Sequence, residues 1–302
     1  MDSNWYEIVA PAKLNLCLQV LGKRSDGYHE VLSFAGFTTF GDRLSVAIAA
    51  KDRIELSGPF AEALNAAGGD TLCAKVTEML RHADIALPPL HIRLEKNIPL
   101  GGGLGGGSAD AAALLRLIAD KILPQQITQE LLFAMAAKIG ADVPVCLYPG
   151  WQIMTATGTD CRPAALSLPD NTTFYAVLAN PNLHVSTADI FTDLQGYSVS
   201  ALPQLERSIE TGDFAQILSI GNDLTAPACA RYSEIATLID QLATPHSGFI
   251  GAAMSGSGAS CFALTTNDAE AMQLAGSLQK NGIWAQVTPM HGQAPTHTQN
   301  NR

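Results

Sequence analysis

The stretch NIPLGGGLGGGSADAAALLRLI, residues 97–118, sets six glycines among the seven residues from Gly101 to Gly107, directly ahead of a run of strong helix formers. Glycine loses the most freedom on folding, so such a run is kept where something must approach the backbone closely or where the chain hinges. Ser108 reads as the N-cap of the helix that follows. The first amides of a helix have no partner within it and stand at the positive end of its dipole, so a glycine loop ahead of them forms a pocket for an anion, phosphate above all. Gly101, Gly103 and Gly106 also satisfy GxGxxG, but a dinucleotide fold needs an acidic residue at the end of a second strand. Asp120 comes too early for that, and KILPQQITQELL does not read as a strand. No lysine stands between Gly107 and Ser108, which excludes a Walker A loop.

Three further groups of residues bear on chemistry. In PAKLNL, Lys13 and Asn15 are two apart and share one face of a strand, either a working face or the solvent side of an edge strand. DGYH, residues 26–29, is a turn presenting Tyr28 and His29, suited to stacking on a flat ring. In KIGADVPVCLYPG, Asp142 stands alone among apolar neighbours, placed either to cap a short turn or to take a proton from a hydroxyl. A second small-residue loop, MSGSGAS at 254–260, is either an oversized hairpin turn or a pair of amides, those of Ser257 and Gly258, offered to a phosphate.

These residues need a frame. Alternation predicts two strands within 5–22, interrupted at Pro11, then strands at 37–49 and 52–58 in a mainly antiparallel sheet. A helix is predicted near 71–83, a strand at 90–99 leading into the glycine loop, a helix ending at Gly140 and a hairpin over 150–164. Residues 162–171 read as a crossing into a second region. That region runs from a strand at 172–181 through helical segments at 188–194, 203–220 and 232–243 to two strands around MSGSGAS, a last helix and a last strand. The order strand, helix, hairpin, helix, strand predicts a ferredoxin-like unit, and the whole is an α+β protein. We expect domains at 1–163 and 164–290, with 291–302 a disordered polar tail.

Composition limits the partners. The chain has 302 residues, 47% hydrophobic and 15% charged, with a net charge of −10. Without a cluster of basic residues, neither nucleic acid nor an anionic membrane is an expected partner. Six scattered cysteines without a CxxC pair suit a reducing compartment and no structural zinc. The polar N-terminus lacks the pattern of a signal peptide, so a cytoplasmic location is expected.

PAKLNL, DGYHEV, IPLGGGLGGGSADAA, GADVPV and MSGSGAS, in this order from about Ala10 to Leu264, resemble the motifs of the GHMP small-molecule kinases. Within them the likeness is to the branch acting on 4-diphosphocytidyl-2-C-methyl-D-erythritol in the non-mevalonate isoprenoid pathway. The resemblance implies a ribosomal-protein-like α/β domain joined to a ferredoxin-like one, with the active site in the cleft between them. It implies ATP as co-substrate and transfer of its γ-phosphoryl group to the substrate's 2-hydroxyl. Pro99, Leu100, Gly101, Gly102, Gly103, Leu104, Gly105, Gly106, Gly107, Ser108 and Ala109 would wrap the phosphates. Asp142 would be the catalytic base with Lys13 its partner, and Ser108 the hydroxyl nearest magnesium. Asn15, Tyr28, His29 and Phe191 match the substrate contacts, with Tyr28 and Phe191 sandwiching the cytosine. Two positions depart from the pattern: relatives often carry asparagine at Thr71 and serine at Ala109.

Overall fold

The computed structural model describes residues 4–69, 72–83, 85–168, 172–243 and 248–292. The chain runs β1 (Tyr6–Lys23), β2 (His29–Ile48), β3 (Arg53–Ser57), α1 (Ala61–Ala66), α2 (Leu72–His82), β4 (Leu90–Glu95), α3 (Gly106–Leu117), α4 (Gln129–Ile139), α5 (Val143–Cys146), β5 (Gln152–Thr155) and β6 (Asp160–Pro163). It continues with β7 (Tyr175–Asn180), α6 (Thr187–Thr192), α7 (Leu202–Thr211), α8 (Phe214–Ser219), α9 (Thr225–Arg231), α10 (Ser233–Ala243), β8 (Phe249–Met254), β9 (Cys261–Thr265), α11 (Asp268–Lys280) and β10 (Trp284–Pro289).

β1 is one strand where two were expected. Proline has no amide to give a ladder and is tolerated at irregularities. Pro11 lies opposite Gly41, and a register shift between Pro11 and Lys13 absorbs the missing donor. Gly41 is required there, since a Cβ would fall 2.1 Å from the Ala10 carbonyl oxygen. β2 pairs with β1, β4 and β5 in the order β3-β4-β2-β5-β6, antiparallel except for β3 with β4. The second sheet has the order β10-β7-β9-β8, all antiparallel, with α11 between β9 and β10. In chain order that is fourth, first, third, second, the ferredoxin-like arrangement expected.

α3 starts earlier than Ser108 predicts. Gly105 takes the cap position with φ at +68°, which places Ser108 inside the first turn. The segment expected to be helical over 203–220 is two helices, broken at Gly212 with φ at +67°. Small side chains at Ala109, Ala111, Ala112 and Ala113 let α3 pack closely into a core shared with Phe37, Leu44, Ile92 and Leu94 of the first sheet. A second core joins the two sheets, with Phe34 and Trp151 against Ala176, Leu178, Phe262 and Leu264. Thr71 and residues 293–302 lie outside the described residues; the His291 amide donates to the Phe37 carbonyl at 2.6 Å.

Candidate active site

Lys13 and Asn15 do share a face of β1, and it is not a solvent face: they are 2% and 1% exposed. A buried ammonium needs oxygen partners. Lys13 Nζ donates to Asn15 Oδ1 at 2.9 Å and pairs with Asp142 Oδ2 at 3.0 Å. Asn15 Nδ2 donates to Ser33 Oγ at 2.8 Å, and Ser33 Oγ donates to the Cys17 carbonyl at 2.6 Å, which fixes the amide's orientation. Asp142 flanks the N-terminus of α5, yet its side chain makes no capping hydrogen bond. Its carboxylate is 40% exposed, bound to Lys13 on one side and open to solvent on the other.

The glycine loop runs along this pair. Gly101, Gly103 and Gly105 have φ of 59°, 75° and 68°. Positive φ at every second residue turns successive amides into a concavity suited to an anion. The first intrahelical bond of α3, from the Ala109 amide to the Gly105 carbonyl at 2.8 Å, leaves the amides of Gly106, Gly107 and Ser108 directed ahead of the helix. The Lys13 amide donates to the Leu104 carbonyl at 2.9 Å, and a Cβ on Gly105 would lie 3.3 Å from Lys13 Cβ and Cε. Pro99 and Leu104 are buried and pin the loop, with Leu100 at its first turn. Ala109 is buried in the α3 core.

The 254–260 loop holds this loop from the other side. Ser255 Oγ donates to the Gly103 carbonyl at 2.9 Å and accepts from the Asn15 amide at 3.2 Å, while the Ser260 amide donates to the Gly102 carbonyl at 3.0 Å. The Gly258 amide is taken by the Ser255 carbonyl at 3.0 Å, so it is not offered to a phosphate. A Cβ on Gly103 would fall 2.1 Å from the Ser255 carbonyl oxygen, which is why glycine is needed where the two loops touch.

His29 opens β2 directly after the turn, and its ring stacks on Phe191 with centroids 4.8 Å apart and 25° between planes. Partial burial, then the charge of Lys23, pushes its pKa below the ordinary imidazole value, so the stacked ring is neutral near pH 7. Tyr28 is 62% exposed, and the ring stacked on Phe191 is that of His29. Phe191 sits on the six-residue α6, which is capped by Ser186 and tied to the 254–260 loop by a Thr187–Ser257 hydroxyl contact of 2.9 Å. Arg231 of α9 pairs with Asp189 of α6 at 3.1 Å and with Asp193, the residue that follows α6, at 2.9 Å.

One cluster escaped the sequence reading. Lys96 Nζ bonds both Asp42 and Asp110, and all three side chains are buried. Asp42 Oδ1 also accepts the amide of Ile98 at 2.8 Å, so the cluster joins β2, the entry of the glycine loop and the first turns of α3. Burial first, then the neighbouring Asp42 charge, pushes the Asp110 carboxyl well above its ordinary range. The signal was present as parity: Lys96 continues the inward alternation of Leu90, Ile92 and Leu94, and Asp42 that of Leu44 and Val46. Thiol chemistry has no footing beside Asp142, because burial raises the Cys146 thiol and pushes that of Cys161 to about 12. Among the described residues no group of three or more His, Cys, Asp or Glu could hold a metal ion, and no helix is long and apolar enough to cross a membrane.

The model of the GHMP kinases N terminal domain matches residues 71–150, and that of the GHMP kinases C terminal region matches residues 201–283. The chain is 39% identical over 289 residues to 4-diphosphocytidyl-2-C-methyl-D-erythritol kinase of Parvibaculum lavamentivorans (strain DS-1), covering 94% of this chain and 97% of that one. It is 40% identical over 273 residues to the protein of the same name from Rhizobium leguminosarum bv. trifolii (strain WSM2304), covering 89% of each. The crystal structure of 4-(cytidine 5'-diphospho)-2C-methyl-D-erythritol kinase superposes with a TM-score of 0.74 at 29% identity, over 95% of this chain and 100% of that one. Homoserine kinase from Cytophaga hutchinsonii, at 18% identity and a TM-score of 0.64 over 97% and 96% of the two chains, shares the fold.

Proposed function

The chain belongs to the GHMP kinases, and on that premise we infer that it phosphorylates the 2-hydroxyl of 4-diphosphocytidyl-2-C-methyl-D-erythritol at the expense of ATP, giving the 2-phosphate and ADP in the non-mevalonate route to isoprenoid precursors. One juxtaposition carries the reading: a buried lysine bonded to a solvent-open carboxylate, set directly against a glycine loop at a helix N-terminus. Phosphoryl transfer leaves the protein little covalent work, so positioning and charge dominate. Residues 99–109 supply both for the nucleotide, through backbone amides turned toward one concavity. Asp142 takes the proton of the attacking hydroxyl as that oxygen bonds to the γ-phosphorus and the bond to the ADP oxygen breaks. Lys13 stabilises the developing negative charge beside it. Asn15, His29, Tyr28 and Phe191 hold the acceptor, with Phe191 one face of the base site.

Magnesium suits the donor set here, since it is satisfied by phosphate oxygens, water and one or two protein oxygens, and Ser108 is the hydroxyl we assign to it. When bound it neutralises phosphate charge. We place the enzyme in the cytoplasm, with small molecules as its partners. The test is ADP release from ATP and magnesium with 4-diphosphocytidyl-2-C-methyl-D-erythritol as acceptor, against mevalonate and homoserine. Turnover of the cytidine-linked acceptor alone supports the assignment; a preference for either other alcohol overturns it.

A further inference from the structure

We propose that Tyr197 is a specificity-determining residue for the acceptor, a third aromatic wall beside His29 and Phe191 for the planar base of a cytidine nucleotide. The proposal rests on the proposed reading of Tyr28, His29 and Phe191 as acceptor contacts, with Phe191 one face of the base site. The His29 ring, stacked on Phe191, also lies 6.3 Å from the Tyr197 ring at an interplanar angle of 49°. Both separations are within the range of interacting aromatic rings, so the three side chains form one group. Phe191 and Tyr197 come from segments on opposite sides of the short turn after α6, which makes the grouping invisible to strand or helix periodicity.

Tyr197 is 54% exposed, a large ring left on the surface beside two others. An exposed aromatic next to a stacking pair is surface that a flat ligand would remove from water. Its backbone is not loose. The Ser198 amide donates to the Val20 carbonyl at 2.9 Å, and Ser198 Oγ donates to Asp223 Oδ1 at 2.9 Å. Asp223 Oδ2 in turn accepts the Val20 amide at 2.7 Å. These bonds hold the residue after Tyr197 to β1, the strand that carries Lys13 and Asn15.

The ring also has room. Tyr197 lines an open cavity of about 830 Å³ bounded by Thr192, Leu194, Asp223, Pro227 and Arg231, whose walls include none of Lys13, Asp142, His29 and Phe191. A tyrosine with two torsions loses little entropy on docking. An anchored backbone and an exposed ring beside two aromatic neighbours together make a third wall for a base.

The experiment compares full-length wild type, Tyr197→Ala and Tyr197→Phe, with cytidine 5'-monophosphate as the probe of the base site in calorimetry and KM measured for both substrates. Tyr197→Ala is expected to weaken binding of the probe and raise the acceptor KM by about 5- to 30-fold, in the range of one lost stacking face. Tyr197→Phe should stay within about twofold, because the ring and not the hydroxyl does the stacking. The KM for ATP and the melting temperature should be unchanged in both. Wild-type affinity of Tyr197→Ala for the probe overturns the role of Tyr197 and leaves the base site standing. Equal losses for ATP and acceptor, or a fall in melting temperature with them, overturn it as well, since a structural role moves both. A wild type that binds no probe overturns the base site and this proposal with it.

Discussion

Asp142 shows how much a single residue's partners decide. Its place before α5 permits capping, and an asparagine would cap as well, but the side chain bonds Lys13 and no α5 amide. Substituting asparagine keeps an oxygen for Lys13 Nζ and removes the capacity to take a proton at neutral pH. Asp142→Asn is therefore expected to lower kcat by roughly a hundredfold to ten-thousandfold with little change in either KM. The melting temperature should fall modestly, because the buried Lys13 loses a charged partner that is itself half open to water. Stopped assays and calorimetry on the same preparation check both, and retention of more than half the wild-type turnover removes Asp142 from the base role. Spacing was enough to find Lys13 and Asn15, since residues two apart on a strand share a face. It was not enough to find their depth, because burial of both faces of β1 comes from α3 and from the second sheet, which no local pattern records.

At the level of the element, the glycines before and within α3 divide into two kinds. Gly103 is held by the fold itself: its φ of +75° and the Ser255 carbonyl beside it exclude any side chain. Gly107 is not. It lies in the first turn of α3, outside the positive-φ region, and an added Cβ would meet only Leu72 Cδ1 at 3.9 Å. A helical glycine costs about 0.5 to 1 kcal/mol against alanine, so folding alone favours replacing it. Gly107→Ala should hold or raise the melting temperature by a few degrees while raising the KM for ATP several-fold and leaving that for the acceptor alone. An unchanged KM for ATP would mean that Gly107 faces no phosphate. The glycine run was the most legible feature of the sequence, yet the start of α3 was misplaced at Ser108, since a glycine in the left-handed region serves as cap without any side-chain signal. The contact between His29 and Phe191 was not legible for a related reason: DGYH specifies a turn, but which ring of that turn meets α6 depends on where that helix docks.

Over the whole molecule, the two sheets are joined through shared structure. β1 bonds the second region directly, with the Leu18 amide on the Gly221 carbonyl at 2.9 Å, and the Met290 and His291 amides tie the segment after β10 back to Phe174 and Phe37. Burial lowers the pKa of the His291 imidazole below its ordinary value of 6.5, and that of His29 shifts the same way. The unfolded chain then binds the proton more tightly, so this contribution is complete above about pH 6.5 and is lost as pH falls through the lower folded values. The melting temperature should be flat from pH 7 to 8 and decline from 6.5 to 5, with His291→Asn flattening part of that slope in a pH series of thermal melts. The centre of the shared core is Trp151, 2% exposed, stacked on Phe34 at 5.7 Å and edge-on to Phe174 at 6.4 Å and Phe214 at 5.2 Å. Gly36 makes its space, for a Cβ there would sit 2.3 Å from the indole. Because Phe34 belongs to β2 while Phe174 and Phe214 belong to the second region, removing the indole withdraws contacts from both at once. Trp151→Ala should cost about 3 to 5 kcal/mol and lower one common transition, seen at the same midpoint by calorimetry and by far-ultraviolet dichroism. Two resolved transitions, of which the substitution moves only one, would show instead that each region keeps its own core and that the cleft can open without unfolding either.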